Sequence, residues 1–352
     1  TAISTTLIAS TVLAVALTIF GLLTSSYLMQ MMNTPHNIFD AGDIYLKIYI
    51  GGMVFLFCYN VATGIFTALG DSKTPLYFLI GSSVGNVALD YLFVAVFHFG
   101  VSGVGWATFL AQGIAGILAV ITLLRRVAKL PTGHGKVMLY SKSMLRRIAK
   151  IAVPSILQQS FVSVGNIFIQ SLVNSFGSAV IAGYSAAIKL NTFTITSFST
   201  LGNALSSFSA QNIGAAKIDR VRKGFRAGTM LAWIIAVPFF VLFFFFGNEM
   251  LRIFMENPTG GAMKAGMAFL KIVSPFYFII SLKLLADGLL RGSSAMIGFM
   301  VSTFTDLILR VILAYVFAGL FGSTGIWMSW PVGWSISAII SLLFYRYTWK
   351  QL

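Results

Sequence analysis

The sequence predicts an all-α integral membrane protein, and three observations support this prediction. Hydrophobic residues make up 57% of the chain and charged residues only 9%, whereas a soluble domain carries about 25% charged residues. Apolar segments of about 20 or more residues, long enough to cross a bilayer of roughly 30 Å, recur along the chain. The short alternating segments of a membrane β-barrel are absent, so the spans are predicted to be helices.

Ten spans can be assigned, and the loops between them differ in charge. The second span is expected to begin at Ile44, which leaves Asp40 and Asp43 in the preceding loop. Because Lys and Arg concentrate in cytoplasmic loops, the basic loops and both ends of this chain are placed in the cytoplasm of a cell (inner or plasma) membrane. The formal charge of +15 then reflects topology, and no nucleic-acid partner is expected. The basic positions are Arg125, Arg126, Lys129, Lys136, Lys142, Arg146, Arg147, Lys150, Lys217, Arg220, Arg222, Lys223, Arg226, Arg346 and Lys350.

The chain contains an internal repeat. Residues 45–48 (YLKI) match 269–272 (FLKI), and Gly103-Val104 match Gly325-Ile326, at shifts of 222 to 224 positions. Both copies begin on the cytoplasmic side, so the repeats are parallel. The second copy has six spans and the first only four. We therefore expect two further N-terminal helices, twelve in the complete protein, and two six-helix lobes: residues 1–126, a basic linker at 127–149, and 150–352.

One polar pair lies within an apolar span of the first lobe. A charged turn at 69–75 (LGDSKTP) precedes a helix that holds Asn86 and Asp90 one turn apart on the same face. A carboxylate in the middle of a bilayer costs about 3 kcal/mol, so it is expected to face the bundle interior and to handle a proton or a sodium ion. Thr108 in the next span could add a hydroxyl to this oxygen-lined site. The alternative is an Asp held by a neighbour purely for packing.

Four polar residues of the second lobe are candidates for a substrate cavity. Gln158, Gln159 and Asn166 put uncharged hydrogen-bonding groups on the fifth span, where they could contact a substrate or only bridge helices. Lys189 lies early in a long span rich in Ser and Thr, where it could act as a movable counter-charge.

Two further pairs of opposite charge are spaced one helical turn apart. Lys283 and Asp287 are expected to pair at the membrane interface, and Asp306 and Arg310 to form a structural ion pair.

No enzyme activity, cofactor or obligatory protein partner is expected. His36, His98 and His134 all fall in predicted loops, and no Ser/His arrangement or paired mid-membrane Asp is evident. The single cysteine, Cys58, excludes a multi-cysteine metal site and a disulfide within the chain.

Four motifs together resemble those of the multidrug and toxic compound extrusion (MATE) family, on its MepA-like, DNA-damage-inducible branch: residues 69–75 (LGDSKTP), 86–90 (NVALD), 100–108 (GVSGVGWAT) and 209–214 (SAQNIG). The resemblance implies two lobes enclosing a central cavity and an antiporter that exports cationic, lipophilic compounds in exchange for protons or sodium ions. It also implies that Asn86, Asp90 and Thr108 belong to a cation site, which in the family includes an aspartate of the first helix.

The alternative is a lipid or polysaccharide flippase of the related superfamily, whose cavity would bind an anionic headgroup. It predicts several basic residues converging on one cavity, and the sequence offers Lys189, Lys283 and Arg310 for this role.

Overall fold

The computed structural model describes residues 1–31, 36–129, 138–255 and 259–351, and these parts are almost entirely helical, as predicted. The helices are α1 (Ala2–Met31), α2 (His36–Ala68), α3 (Lys73–Asp90), α4 (Gly100–Val127), α5 (Lys142–Asn174), α6 (Ser178–Gly214), α7 (Ile218–Phe245), the short α8 (Gly247–Arg252), α9 (Gly260–Val273), α10 (Tyr277–Gly292), α11 (Met296–Phe321) and α12 (Ser323–Gln351). His134 and Lys136 lie outside the described residues.

Nine helical segments among these residues are long and apolar enough to cross a membrane, which confirms the polytopic fold. Helices α9 and α10 together form one of the nine, Gly260–Gly292, interrupted by a 3-10 turn at Ser274–Phe276 that contains Pro275. The one predicted span that is not among these nine is α6. It is 37 residues long, but its many hydroxyl and amide side chains make it too polar to be counted with the others.

The chain divides into two compact units, Thr1–Ala149 and Lys150–Leu352. In the first unit, α2 packs between α1 and α4, and α3 packs along α4. Helices α2 and α4 approach closely at Gly116, where an added Cβ atom would lie 2.6 Å from the carbonyl oxygen of Phe55. Phe66 and Leu123 fill the interior of this unit.

The second unit has a larger core, built from aromatic rings. Trp327 of α12 stacks on Tyr184 of α6 with ring centroids 5.1 Å apart, and Phe269 packs edge-on against the same indole at 5.4 Å. Tyr277 is fully buried, and its hydroxyl donates to Asn191 Oδ1 at 3.2 Å. These contacts tie α6, α9, α10 and α12 together.

Two predicted helix starts are wrong: α5 begins at Lys142, inside the predicted linker 127–149, and the start of α2 also differs. Helix α2 begins at His36 and not at Ile44, so Asp40 and Asp43 lie inside the helix. Asp43 is accommodated there because Lys47 pairs with it from the next turn, with Nζ and Oδ2 2.6 Å apart. Hydropathy alone places acidic residues in loops, and it cannot detect a local partner of this kind.

Candidate functional site

Helix α3 carries the polar pair that the sequence singled out, and its start is fixed by the charged turn. Asp71 caps the helix: its Oδ1 accepts from the Thr74 backbone N–H at 3.1 Å, and its Oδ2 accepts from the Thr74 hydroxyl at 2.8 Å. Gly70 adopts a positive φ of 84°, which turns the chain from α2 into α3 and which glycine accepts without strain. The turn therefore sets the register of α3.

Asn86 and Asp90 are both half-buried near the C-terminal end of α3. The Asn86 Nδ2 and Asp90 Oδ1 atoms are shielded from solvent and have no hydrogen-bond partner within the described ranges. The backbone changes from α-helix to π-helix at the residue after Asp90, over Tyr91–Val96. Single π-helical turns are often found at functional sites. The carboxylate thus combines an unsatisfied oxygen with an irregular backbone next to it.

Thr108 is half-buried on α4, the helix along which α3 packs. No hydrogen bond in the described part of the chain joins it to Asn86 or Asp90. A groove of about 270 Å³ lies between the two helices, and its walls are small or apolar. A shared site for the three residues therefore stays a prediction.

A second carboxylate in the first unit was missed by the sequence reasoning. Asp43 Oδ1 accepts from the hydroxyls of Ser26 at 3.0 Å and Ser25 at 3.3 Å, while Lys47 holds Oδ2. Two serines of α1 thus converge on a carboxylate of α2. The adjacent hydroxyls at 25 and 26 were the only signal in the sequence, and their partner lies 17 residues away.

The second unit contains a cavity of about 450 Å³, in the size range of ligand pockets. Three of the four predicted substrate candidates line it: Gln158, Gln159 and Asn166 of α5. The opposite walls come from α6, α10, α11 and α12, so the polar face of α6 is directed into this space. The remaining lining residues are Val162, Gln170, Tyr184, Ile188, Asn191, Thr192, Ile195, Thr196, Ser199, Ile280, Lys283, Leu284, Thr303, Asp306, Arg310, Trp330 and Trp334.

Lys189, the fourth candidate, does not line this cavity. It is exposed, and its ammonium lies 5.8 Å from the centre of the Phe254 ring in a separate pocket of about 520 Å³. The structure therefore separates Lys189 from Gln158, Gln159 and Asn166.

Lys283 and Asp287 pair as predicted, with Nζ and Oδ2 2.7 Å apart, and their position at the membrane interface stays a prediction. Each side chain is only 4% exposed, and Lys283 lines the cavity. Asp287 also accepts from the Ser341 hydroxyl at 2.6 Å. The pair is stable in the interior because each ion has a short charged contact and the carboxylate has a further donor.

Asp306 and Arg310 also lie within ion-pair distance, but their contact is looser. The Arg310 Nη2 to Asp306 Oδ2 distance is 3.7 Å, and the guanidinium lies 4.6 Å from the centre of the Trp330 ring. Both residues line the cavity, so Lys283 and Arg310 converge on it while Lys189 does not. With Asp287 and Asp306, this region holds two cations and two carboxylates and has no net charge.

This chain resembles known proteins both in sequence and in the arrangement of its helices. The MatE family model matches residues 1–92 and 154–316, which is more than half of the chain. The chain belongs to the MatE family. Among its relatives, "Probable multidrug resistance protein YpnP" of Bacillus subtilis (strain 168) is 30% identical over 337 residues, which cover 94% of this chain and 74% of the relative.

A second MatE relative is "Multidrug export protein MepA" of Staphylococcus saprophyticus, 21% identical over 94% of this chain and 72% of that protein. A solved outward-facing structure of a multidrug resistance MATE family transporter of the MOP superfamily covers 99% of this chain, and this chain covers 79% of it. The TM-score is 0.90 at 20% identity, so the likeness establishes the fold. The predicted family membership is confirmed.

Proposed function

We propose that this MatE protein is a secondary active antiporter that exports cationic, lipophilic compounds in exchange for protons or sodium ions. The observation that carries this proposal is the pair of unpartnered, buried polar atoms, Asn86 Nδ2 and Asp90 Oδ1, one turn apart in an apolar helix. The names of the relatives, which refer to multidrug resistance and multidrug export, support the substrate class.

In this proposal Asp90 binds the coupling ion. A carboxylate without a hydrogen-bond donor can take up a proton, or it can share a sodium ion with other oxygen atoms. Asn86 would contribute its amide oxygen and Thr108 its hydroxyl. The polar cavity of the second unit would hold part of the transported compound, with Gln158, Gln159 and Asn166 as hydrogen-bonding groups.

The energy available from one coupling ion is sufficient for useful export. One elementary charge that moves inward across 100 mV releases about 2.3 kcal/mol, which corresponds to roughly a fifty-fold concentration gradient of substrate. The protein would lie in the cell membrane with both ends of this chain in the cytoplasm, as the positions of its basic residues suggest.

Asp90→Asn tests the proposal because it keeps the size of the side chain and removes its charge. In the complete protein, reconstituted in liposomes with an imposed proton or sodium gradient, we expect this variant to lose ion-driven efflux of a cationic dye at least about a hundredfold. Asp40→Asn is the matched control, since Asp40 is an exposed carboxylate of the same unit. Unchanged efflux by Asp90→Asn would refute the assignment of Asp90.

A lipid or polysaccharide flippase is the second candidate, and the observation that favours it is that Lys283 and Arg310 line one cavity. Each has a carboxylate within ion-pair distance, so the region has no net positive charge to attract an anionic headgroup. Movement of a fluorescent anionic lipid across liposomes, without gradient-driven dye efflux, would favour the flippase.

A further inference from the structure

The Asp306 and Arg310 pair differs from the other buried pair of the second unit in one respect. The Lys283 Nζ and Asp287 Oδ2 atoms form a close ion pair at 2.7 Å, whereas the nearest charged atoms of Asp306 and Arg310 are 3.7 Å apart, too far for a hydrogen bond. Both members of the loose pair are nonetheless more than 90% buried. An ion pair in the interior is stable only when its remaining donors and acceptors are also satisfied. The loose pair does not meet this condition.

Four buried polar atoms around this pair have no partner in the described part of the chain: Asp306 Oδ1, Arg310 Nε, Trp330 Nε1 and Thr303 Oγ1. All four residues line the cavity. Two of the atoms are N–H donors, one is a carboxylate acceptor, and the hydroxyl can be either. Buried polar groups in proteins are almost always paired, so such a group of four indicates a missing partner.

The neighbouring helix cannot supply that partner. Gly333 of α12 faces Asp306, and a Cβ atom added there would lie 2.7 Å from Asp306 Oδ1 and 3.4 Å from Arg310 Cβ. The backbone of α12 therefore packs directly against the pair, with no room for another side chain. On the same helix, the ring of Trp330 holds the Arg310 guanidinium by a cation–π contact. Asp306 and Arg310 also line the cavity.

We propose that this cavity binds a zwitterionic amphiphile, and that Arg310 is the residue that selects for its carboxylate. The ligand's carboxylate would accept hydrogen bonds from the Arg310 and Trp330 N–H groups, while its ammonium group would pair with Asp306. This proposal rests on the transport function proposed above and narrows its substrates to lipophilic compounds that carry a carboxylate beside their cationic group.

Charge balance distinguishes a zwitterion from the other ligand classes. When a zwitterion binds, its carboxylate pairs with Arg310 and its cationic group pairs with Asp306. No buried charge is then left without a partner. A bare cation would pair with Asp306 but leave Arg310 buried and unpaired. A bare anion would pair with Arg310 and leave Asp306 buried and unpaired. Removing one partner of a buried pair is strongly destabilising. Because its charged atoms are 3.7 Å apart and not 2.7 Å, the pair can open for this exchange more readily than Lys283 and Asp287.

The carboxylate is expected to matter because guanidinium is suited to it. The guanidinium group is planar and presents its N–H donors in a fork that matches a carboxylate. A hydrogen bond to a charged group contributes enough free energy to change a dissociation constant by about tenfold or more. The cavity volume of about 450 Å³ is suited to a drug-sized molecule.

The test compares two dyes that differ only in this group: a rhodamine with a free carboxylate and the methyl ester of the same rhodamine. Binding to the purified complete protein is measured by fluorescence polarisation without any ion gradient. We expect the free acid to bind at least about tenfold more tightly than the ester. Arg310→Gln should abolish this preference, and Trp330→Phe, which keeps the ring and loses the N–H, should reduce it. Lys271→Gln is the control, an exposed cation of the same unit whose loss should change nothing.

The ratio of the two affinities within each variant is the readout, so a partial loss of folded protein does not affect it. If Arg310→Gln does not fold, the double variant Asp306→Asn with Arg310→Gln removes both charges together and should also lose the preference. Equal binding of the two dyes to the unmodified protein, or an unchanged ratio in the Arg310 variants, would overturn the proposal. Binding needs no gradient, so this result is independent of the Asp90→Asn efflux assay.

Discussion

Asp71 shows how one side chain can fix the start of a membrane helix. Its carboxylate accepts from the Thr74 backbone N–H, a donor that the first turn of α3 would leave unsatisfied, and from the Thr74 hydroxyl. The same hydrogen bonds, from the backbone N–H and the hydroxyl of Thr74, lower the pKa of Asp71 from its ordinary value of 3.8. Because the folded state has the lower pKa, the stabilisation is fully present above pH 3.8 and is lost as the pH falls through the folded-state pKa.

We therefore expect Asp71→Ala to destabilise the protein by about 1 kcal/mol near neutral pH, the usual contribution of a helix cap. Thermal unfolding in detergent, followed by circular dichroism, measures this effect. The difference from the unmodified protein should shrink when the pH is lowered through the pKa of Asp71. Ser72→Ala is the control, since the Ser72 side chain makes no cap hydrogen bond. An effect of Asp71→Ala that does not change with pH would contradict the assignment.

Single residues also mark the limit of what the sequence can predict. The spacing of Lys283 and Asp287 correctly predicted their pairing, because partners at i and i+4 meet on any helix. Their burial could not be predicted, since it depends on Ser341 from another helix. The contacts of Asp43 with Ser25 and Ser26 could not be predicted for the same reason, because these serines belong to α1. Local spacing identifies neighbours along one helix, whereas the chemistry of a cavity depends on neighbours between helices.

At the scale of elements, small residues determine how closely α6 and α10 pack. An added Cβ atom at Gly288 would lie 2.1 Å from the carbonyl oxygen of Gly202, and one at Gly292 would lie 2.4 Å from that of Ser206. Gly288 and Gly292 are one turn apart, as in the small-residue motifs of packed membrane helices. This close contact brings the polar face of α6 and Lys283 of α10 to the same cavity.

Gly288→Ala should accordingly destabilise the second unit by about 1–3 kcal/mol, because the methyl group meets backbone that cannot yield. Gly319→Ala is the matched control within the same unit, where no atom lies within 4 Å of the added Cβ. It should be neutral or slightly stabilising, as expected for alanine in a helix. Thermal unfolding in detergent compares the two. Similar melting temperatures for both variants would show that α6 and α10 are less tightly packed than described.

The sequence predicted most element boundaries because the apolar runs end at glycines, charges and loops. It did not predict the break within Gly260–Gly292, although Pro275 marks it. Three other prolines, Pro154, Pro238 and Pro331, lie within continuous helices. A proline inside a span therefore permits a break without requiring one, and the packing around it decides the outcome. Here the carbonyl of Phe278, in the turn after the break, accepts from the Trp233 indole at 3.1 Å.

At the scale of the whole molecule, the distribution of basic residues leads to a testable orientation. Cys58 is the single cysteine of this sequence, so Cys58→Ala, with any cysteine upstream of Thr1 also replaced, gives a background for labelling with a membrane-impermeant maleimide. In that background we expect Lys217→Cys to react only after the cells are permeabilised, and Asn248→Cys to react in intact cells. Both positions are exposed and lie at opposite ends of α7. Labelling of Lys217→Cys in intact cells would place the basic loops outside and reverse the topology.

The polar character of α6 also has a consequence for how the chain enters the membrane during synthesis. A segment with so many hydroxyl and amide groups gains little by leaving the translocation channel for lipid on its own. Helices α9 and α10, which pack against α6, are synthesised later. Helix α6 is therefore expected to wait beside the channel, or to leave it together with α5 or α7. The residues that form the cavity in the finished protein are the same residues that delay its insertion.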